Sequence, residues 1–401
     1  MSYVNENLNQ RVTANLLYGV HGKYPKAGYF KRCVGKLTPD GDLMPVKRYN
    51  MALSGGTAMG EDWYIKNFCL YIDGEDKGSV GLGDKVVVKF HDRHLVYPNR
   101  LRCTAGSALG SFNTPAFADA CVFGNRVFGI LDNTLYGSAL GDETKWDDFE
   151  NEDGSPKESG SFRVSIDEPF TAIAAFLDHV AVFTPNKLYL LYGSRPGNFT
   201  LNPVLNMGVR VHRELCINQN NLYFLNGGKL WHYSGGRAKD LLFDLQIDVS
   251  EKNWVLADNE GLYLAGRDSI DYFDGRYTTL YEDDCTGLFE FEGKIYAKID
   301  MDMVQLQVGQ RDLFYAVCPP PLNCGSTVRV IICAKGDVQI LAGDTLLSRE
   351  TSYTPSQREG YIKAQNGNLP DITLIGQSES VLYGVVFEGY GGVKYAAFTQ
   401  Q

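Results

Sequence analysis

An all-β fold, a β-propeller of about five to six four-stranded blades, is the class that three features of the sequence predict. One hairpin plan recurs about every 40 residues, and its strands are apolar on both faces. Gly, Tyr and Phe are abundant (43, 24 and 21 of 401 residues), and no long helical pattern interrupts them.

The hairpin is clearest in NRVFGILDNTLYGSALGDETKW (125–146). Val127 and Leu131 point one way and Phe128 and Ile130 the other, ahead of a turn made by Asp132, Asn133 and Thr134. Asp and Asn tolerate positive φ and hydrogen-bond their own backbone, so they suit such a turn. A strand apolar on both faces needs cover on both.

DHVAVFTPNKLYLLYG (178–193), NNLYFLNGGKLWHYSGG (220–236) and EGLYLAGRDSIDYFDG (260–275) share this build. The first aliphatics are Val127, Val180, Leu222 and Leu262, and eight residues later stand Leu135, Leu188, Leu230 and Ile270. GKIYAKIDMDMVQLQVG (293–309) repeats the plan one residue looser, with Ile295 and Val304. DRHLVYPNRLRCT (92–104) is a degenerate first copy anchored at Leu95. Anchor spacings of 32, 53, 42, 40 and 33 average 40. A short strand precedes the later copies (ADACVF, IAAF, LCIN, WVLA, LFEF), and YTTLY (277–281) is the clearest fourth strand. A four-stranded meander at this period is the signature of a propeller blade, which stacks both faces on its neighbours. A meander sandwich would instead alternate apolar and polar residues. Five or six copies fall between about residues 80 and 315, and the propeller is assigned to 61–317.

The ends differ from the repeats. Residues 1–60 hold eight basic residues (Arg11, Lys23, Lys26, Lys31, Arg32, Lys36, Lys47, Arg48) against three acidic ones (Glu6, Asp40, Asp42). Removing these from the chain's 38 basic and 48 acidic residues leaves 30 against 45. GKYPKAGYFKRCVGK interleaves Lys and Arg with Tyr24, Tyr29 and Phe30, a mixture able to stack on and neutralise nucleic acid. The preferred reading is a basic arm that docks on an acidic protein surface through these aromatics, with ALSGGTAMG (52–60) as a flexible joint. In CPPPLNCGS (318–326) three successive prolines cannot sit inside a sheet and predict a stiff linker. Beyond it, STVRVIICA, DVQILA, ITLIG and VLYGVVFEGY predict a small β-sandwich over 325–401. RAKDLLFDLQID (237–248) is the best short-helix candidate.

A net charge of −10 argues against a general nucleic-acid binder. No apolar run approaches a membrane span, and the polar start MSYVNENLNQ lacks the layout of a signal peptide. Nine scattered cysteines then read as buried thiols of a protein made in the cytosol. Candidates for chemistry are few. His91 and His94 fall in a strand and turn, where residues three apart point to opposite faces. Cys318 and Cys324 lack a second pair of ligands. WDDFENEDG (146–154) and YEDDC (281–285) are carboxylate-rich, but the glycine of the first is misplaced for a calcium loop. SALGDETKW (138–146) loosely resembles the Asp-box of sialidase propellers, with Leu140 where the Asp belongs and the glycine one position early. No carboxylate pair, nucleotide loop or nucleophile elbow can be singled out, so no catalytic, cofactor-binding or metal-ligating residue is assigned.

GDKVVVKFHDRHLVYPNRLRCT followed by NRVFGILDNTLYGSALGDETKWDDF resembles structural propeller proteins of tailed bacteriophages. In that group an early strand ends in PN or PD. A later blade reads NR-aromatic, then N-x-hydrophobic-Y-x-S-x-LGD, then Trp and Phe. The resemblance covers about residues 80–310 and is similar in architecture to tail nozzle or hub proteins of short-tailed phages. It implies a non-enzymatic virion component of the tail or head–tail region, without cofactor or metal. The expected partners are further copies in a ring, as a hexamer, and neighbouring tail or connector proteins, with DNA passing but not specifically bound. A glycan-binding adhesion protein, with or without weak glycosidase activity, is the alternative, since exposed Trp146, Trp231 and Tyr233 would stack on sugars.

Overall fold

The recurring hairpins are the middle strands of four-stranded antiparallel sheets. In the unit that contains residues 125–138, Asp119–Phe123, Arg126–Leu131, Thr134–Gly137 and Phe162–Ser165 pair in chain order. The computed structural model describes residues 10–14, 30–307, 311–319, 327–364 and 369–390. Within them, six such sheets stand free: residues 56–79, 86–111, 119–165, 172–205, 215–240, and 285–305 completed by Asn50–Ser54. A further four-stranded meander, Lys252–Ala257, Leu262–Gly266, Ile270–Phe273 and Tyr277–Tyr281, follows the same plan but continues into a larger sheet. The β-propeller is therefore six free-standing blades and one fused unit. Counted in chain order from residue 56, the fused unit is the sixth of seven.

Apolar clusters between successive units explain the two-faced strands. Val127 packs with Leu95 and Tyr97 of the preceding blade, while Phe128 and Ile130 pack with Val180 and Leu191 of the following one. Val180, Leu222 and Leu262 likewise face backward, and Leu135, Leu188, Leu230 and Ile270 face forward. Register accounts for this division. Leu135 pairs with Ile130, Leu188 with Phe183, Leu230 with Leu225 and Ile270 with Ala265. Each of those partners lies three residues beyond the first anchor, and side chains three apart on a strand take opposite faces. In the second blade the backward-facing residue is Val96, and Leu95 faces forward.

Only the first strand of the first blade, Gly56–Gly60, was assigned to the arm and its joint, and the propeller boundary at residue 61 is corrected by it. Gly56–Gly60, Trp63–Lys66, Cys69–Ile72 and Glu75–Ser79 form a complete blade. Asn50–Ser54 is the outer strand of the last one, paired with Asp302–Gln305. Gly56 is required by packing, because a Cβ there would lie 2.5 Å from Met303 Cγ. The short-helix candidate at 237–248 is a two-residue strand, Lys239–Asp240, followed by a turn. That turn buries Leu242 and Leu245 against Val255 and Leu262.

The second domain is not built from 325–401 alone. The strand Thr327–Ala342 bends at Gly336 (φ +86), where a Cβ would lie 2.6 Å from Ser380 Cα. Its first half pairs with Val381–Tyr390 and its second with Ile372–Gly376, while Thr345–Lys363 follows it along the other edge. Val328, Val330, Ile332, Ala334, Val338 and Ile340 all enter one core. Phe30, Cys33, Leu37 and Leu43 from the N-terminal segment, and Phe314 and Ala316 from before the prolines, complete that core. Arg32–Val34 then joins the domains, pairing with Phe314–Cys318 on one side and, through Val34 and Thr279, in parallel with the fused blade on the other. The resulting sheet has 13 strands.

Since strands on both sides of the prolines share one core, a proteolytic cut within 320–325 should leave the two pieces associated. Size-exclusion chromatography of the nicked protein should give one peak at the intact mass, splitting only in denaturant. A C-terminal fragment released under native conditions would restore the boundary to the prolines.

Candidate functional site

The segment SALGDETKW (138–146) clamps two blades. Ser138 is fully buried, and its Oγ accepts from Val127 N (3.0 Å) and donates to Ala139 O (3.0 Å). Asp142 Oδ1 accepts from Thr144 N and Oγ1, which tightens the turn. Trp146 is buried between the second and third blades and donates its indole N–H to Glu143 O at 2.9 Å. The Glu143 carboxylate, 1% exposed, accepts from Arg93 (2.5 Å) and Arg102 (2.6 Å) of the preceding blade. Arg126, also buried, donates to the carbonyls of Ser138, Glu158 and Gly160 and so ties down the long connection after the hairpin. At the next interface Asp119 accepts from Ala120 N and Ile173 N, both at 2.9 Å, across the third and fourth blades.

Residues considered for metal or sugar chemistry do not converge. His91 lies in a turn at φ +55, whereas His94 is buried and contacts Asp62 Oδ1 through Nε2 at 3.0 Å. Cys318 is buried in the core of the second domain, and Cys324 lies outside the described residues. In the 146–154 loop Asp147 pairs with Arg163, Asp148 with Lys157, and Asp153 caps Ser155. Glu282 pairs with Arg32. Among the described residues no group of three or more His, Cys, Asp or Glu is placed to hold a metal ion. Trp146 and Tyr233 are each 4% exposed and Trp231 is half-buried, so the first two cannot stack on a sugar.

The basic N-terminal segment does meet an acidic surface, but on its own chain. Lys31 pairs with Asp371 (2.7 Å), Arg32 with Glu282, Lys36 with Glu260 (3.8 Å) and Arg48 with Asp312 (2.9 Å). Lys47 forms a backbone bridge with Arg311. Phe30 is 1% exposed in the core of the second domain and is not a free anchor; Lys23, Tyr24, Lys26 and Tyr29 lie outside the described residues.

One cavity lies where connections between successive blades meet the Asn67-Phe68 turn. It has a volume of about 430 Å³ and is lined by four sheets, by residues 81–85 between the first and second, and by His212 and Arg213 ahead of the fifth. Sequence reading passed over its residues. The available signal was Asn67-Phe68, a turn pair whose second position glycine usually takes.

No protein-family model matches this sequence, and no curated protein matches it. Among solved structures it is similar to the extracellular domain of a putative one-component system from B. thetaiotaomicron, at 14% identity over 78% of this chain and 47% of that chain, TM-score 0.41. It is also similar to virginiamycin B lyase from Staphylococcus aureus (12% identity, 69% and 98% covered, TM-score 0.43). BamB from Moraxella catarrhalis is a third such structure (12% identity, 66% and 93% covered, TM-score 0.35). The chain spans about half the length of the first of these. Likeness at this level carries no functional inference. Among the described residues no helix is long and apolar enough to cross a membrane.

Two predictions test the interblade clasps. Glu143→Gln leaves two arginines facing a neutral amide, and chemical denaturation should show a loss of about 2 kcal/mol, as for hydrogen bonds to charged groups. Burial pushes the Asp119 carboxyl up to about 6, against the opposing charge of His212 and two backbone N–H donors. A raised folded pKa gives stability that is full below the unfolded value and lost as pH rises through 6. Between pH 7 and 5 the wild type should therefore gain about 1 kcal/mol relative to Asp119→Asn. Parallel denaturation curves at the two pH values check this; an unchanged difference would mean that Asp119 is charged throughout.

Proposed function

We propose that the protein is a non-enzymatic structural component of a tailed-phage virion, in the tail nozzle or hub or the head–tail region, where copies assemble into a ring. The observation that carries this reading is the 13-stranded sheet, which weaves segments from both ends of the chain into one body with the propeller. Such continuity suits a part that transmits load between neighbours. It is supported by the fate of the LGD-x-x-x-W segment, which carries the resemblance and is occupied in clamping blades. In such a ring the basic arm of one copy would dock on the acidic body of the next, and the same geometry narrows which residues can do so. Residues 31–48, and the strand Gln10–Ala14 that pairs with Val381–Tyr390, already bind their own chain, so contacts between copies fall to Lys23, Tyr24, Lys26 and Tyr29. A head-to-tail contact of that kind closes into a ring when its rotation allows.

Replacing Lys23, Tyr24, Lys26 and Tyr29 with serine keeps the strand Gln10–Ala14, Phe30, the domain-joining strand and the strand that closes the last blade. The substituted protein should remain folded, with a melting temperature within a few degrees of the original, and should no longer form rings by negative-stain electron microscopy. Rings from the substituted protein would remove the arm from the mechanism. Failure of the full chain to form rings, together with its absence from purified phage particles by mass spectrometry, would overturn the structural reading itself.

A further inference from the structure

The cavity lined by Phe68, Lys85, Arg213 and Lys298 combines charge, aromatic surface and strain in a way that folding alone does not require. Lys85, Arg213 and Lys298 bring three cations to its wall, with Asp84 the one carboxylate lining it, in a chain of net charge −10. Asp84 is 83% exposed and stands 3.5 Å from Arg213, so it neutralises the site weakly. Arg213 Nε is buried without a hydrogen-bond partner, and Arg213 lies 5.4 Å over the Trp254 ring. The Lys298 ammonium makes no ion pair or hydrogen bond among the described residues. Desolvation lowers the pKa of Lys85, with Asp84 opposing, so an incoming anion would stabilise its charged form.

Phe68 is the second line of evidence. It occupies the turn between Trp63–Lys66 and Cys69–Ile72 at φ +64, a region that bulky residues enter only at a cost. Phe68 is 46% exposed and lines the cavity, so neither backbone preference nor burial accounts for it. Trp254 and Phe289, 5.3 Å apart, add further aromatic surface. The volume of about 430 Å³ falls in the range of small-molecule sites.

We propose that this cavity binds a planar anion of the nucleoside monophosphate class, with the flat base against Phe68 and Trp254 and the phosphate at Lys85, Arg213 and Lys298. Three cations less Asp84 leave two positive charges, which match a phosphate monoester dianion. Aromatic rings take any base by its π-face, so the site need not distinguish sequence. The inference rests on the cavity and is independent of the virion reading.

Tryptophan fluorescence of the full chain, titrated with adenosine monophosphate, adenosine and inorganic phosphate, tests it. The nucleotide should saturate one site and bind at least tenfold more tightly than either half. Lys298→Gln should weaken it about tenfold. Phe68→Gly should raise the melting temperature, since glycine relieves the turn, yet weaken nucleotide binding. Equal affinities for the nucleotide and inorganic phosphate, or unchanged affinity in Phe68→Gly, would overturn the proposal. So would binding of a short single-stranded oligonucleotide where the monophosphate fails.

Discussion

Every unit of this propeller exposes apolar side chains on both faces of its sheet, and that single constraint organises the rest of the molecule. A sheet of this kind has no solvent side, so each must lie between two others, and a row of them must close. Val127 against Leu95 on one side and Phe128 against Val180 on the other show the demand in one hairpin. Closure is supplied by Met59 of the first blade against Tyr296 and Met303 of the last, and by the strand Asn50–Ser54 that completes that last sheet. The polar clasps at Glu143 and Asp119 sit on the same interfaces and fix how neighbouring sheets meet.

Charge plays a different part at the surface and inside. The uneven distribution between the first 60 residues and the remainder is offset in part within one chain, by pairs such as Lys31–Asp371 and Arg48–Asp312. Exposed pairs contribute about 0–1 kcal/mol each, so the segment is held chiefly by Phe30, Cys33, Leu37 and Leu43. In the fused blade Lys252 and Asp271 lie 2.5 Å apart, each less than 10% exposed, and Tyr277 donates to the same carboxylate. A buried pair of that kind favours one arrangement of the sheet over alternatives more than it adds stability. Here it lies in the blade that must also accept a strand from the second domain.

The fold was legible where local pattern and final environment coincide. The eight-residue spacing of Val180 and Leu188, or of Leu222 and Leu230, reports one residue for each interface. The start of the first blade was illegible because Gly55, Gly56 and Gly60 resemble a joint, and the strand just before it, Asn50–Ser54, pairs about 250 residues away in the last blade. No local pattern announces such pairing. For the same reason Pro319 looked like a domain boundary, although Phe314–Cys318 already belongs to the second domain. At the candidate site, Lys85 and Lys298 are ordinary surface lysines in sequence and become a cluster only when distant blades converge. Phe68 alone left a trace, as the wrong residue for its turn.

The strand Asn50–Ser54 also sets an order of events during synthesis. It leaves the ribosome early, yet its partner Asp302–Gln305 is about 250 residues further on, which takes roughly 10–50 s to translate. Until then the nascent chain carries a strand without a sheet, and each completed blade leaves an apolar face waiting for its neighbour. The segment containing Phe30 and Leu43 waits longer still, for strands that end at Tyr390. Products truncated before Asp302 would therefore be sticky out of proportion to their length, because the faces left open have no other sheet to cover them.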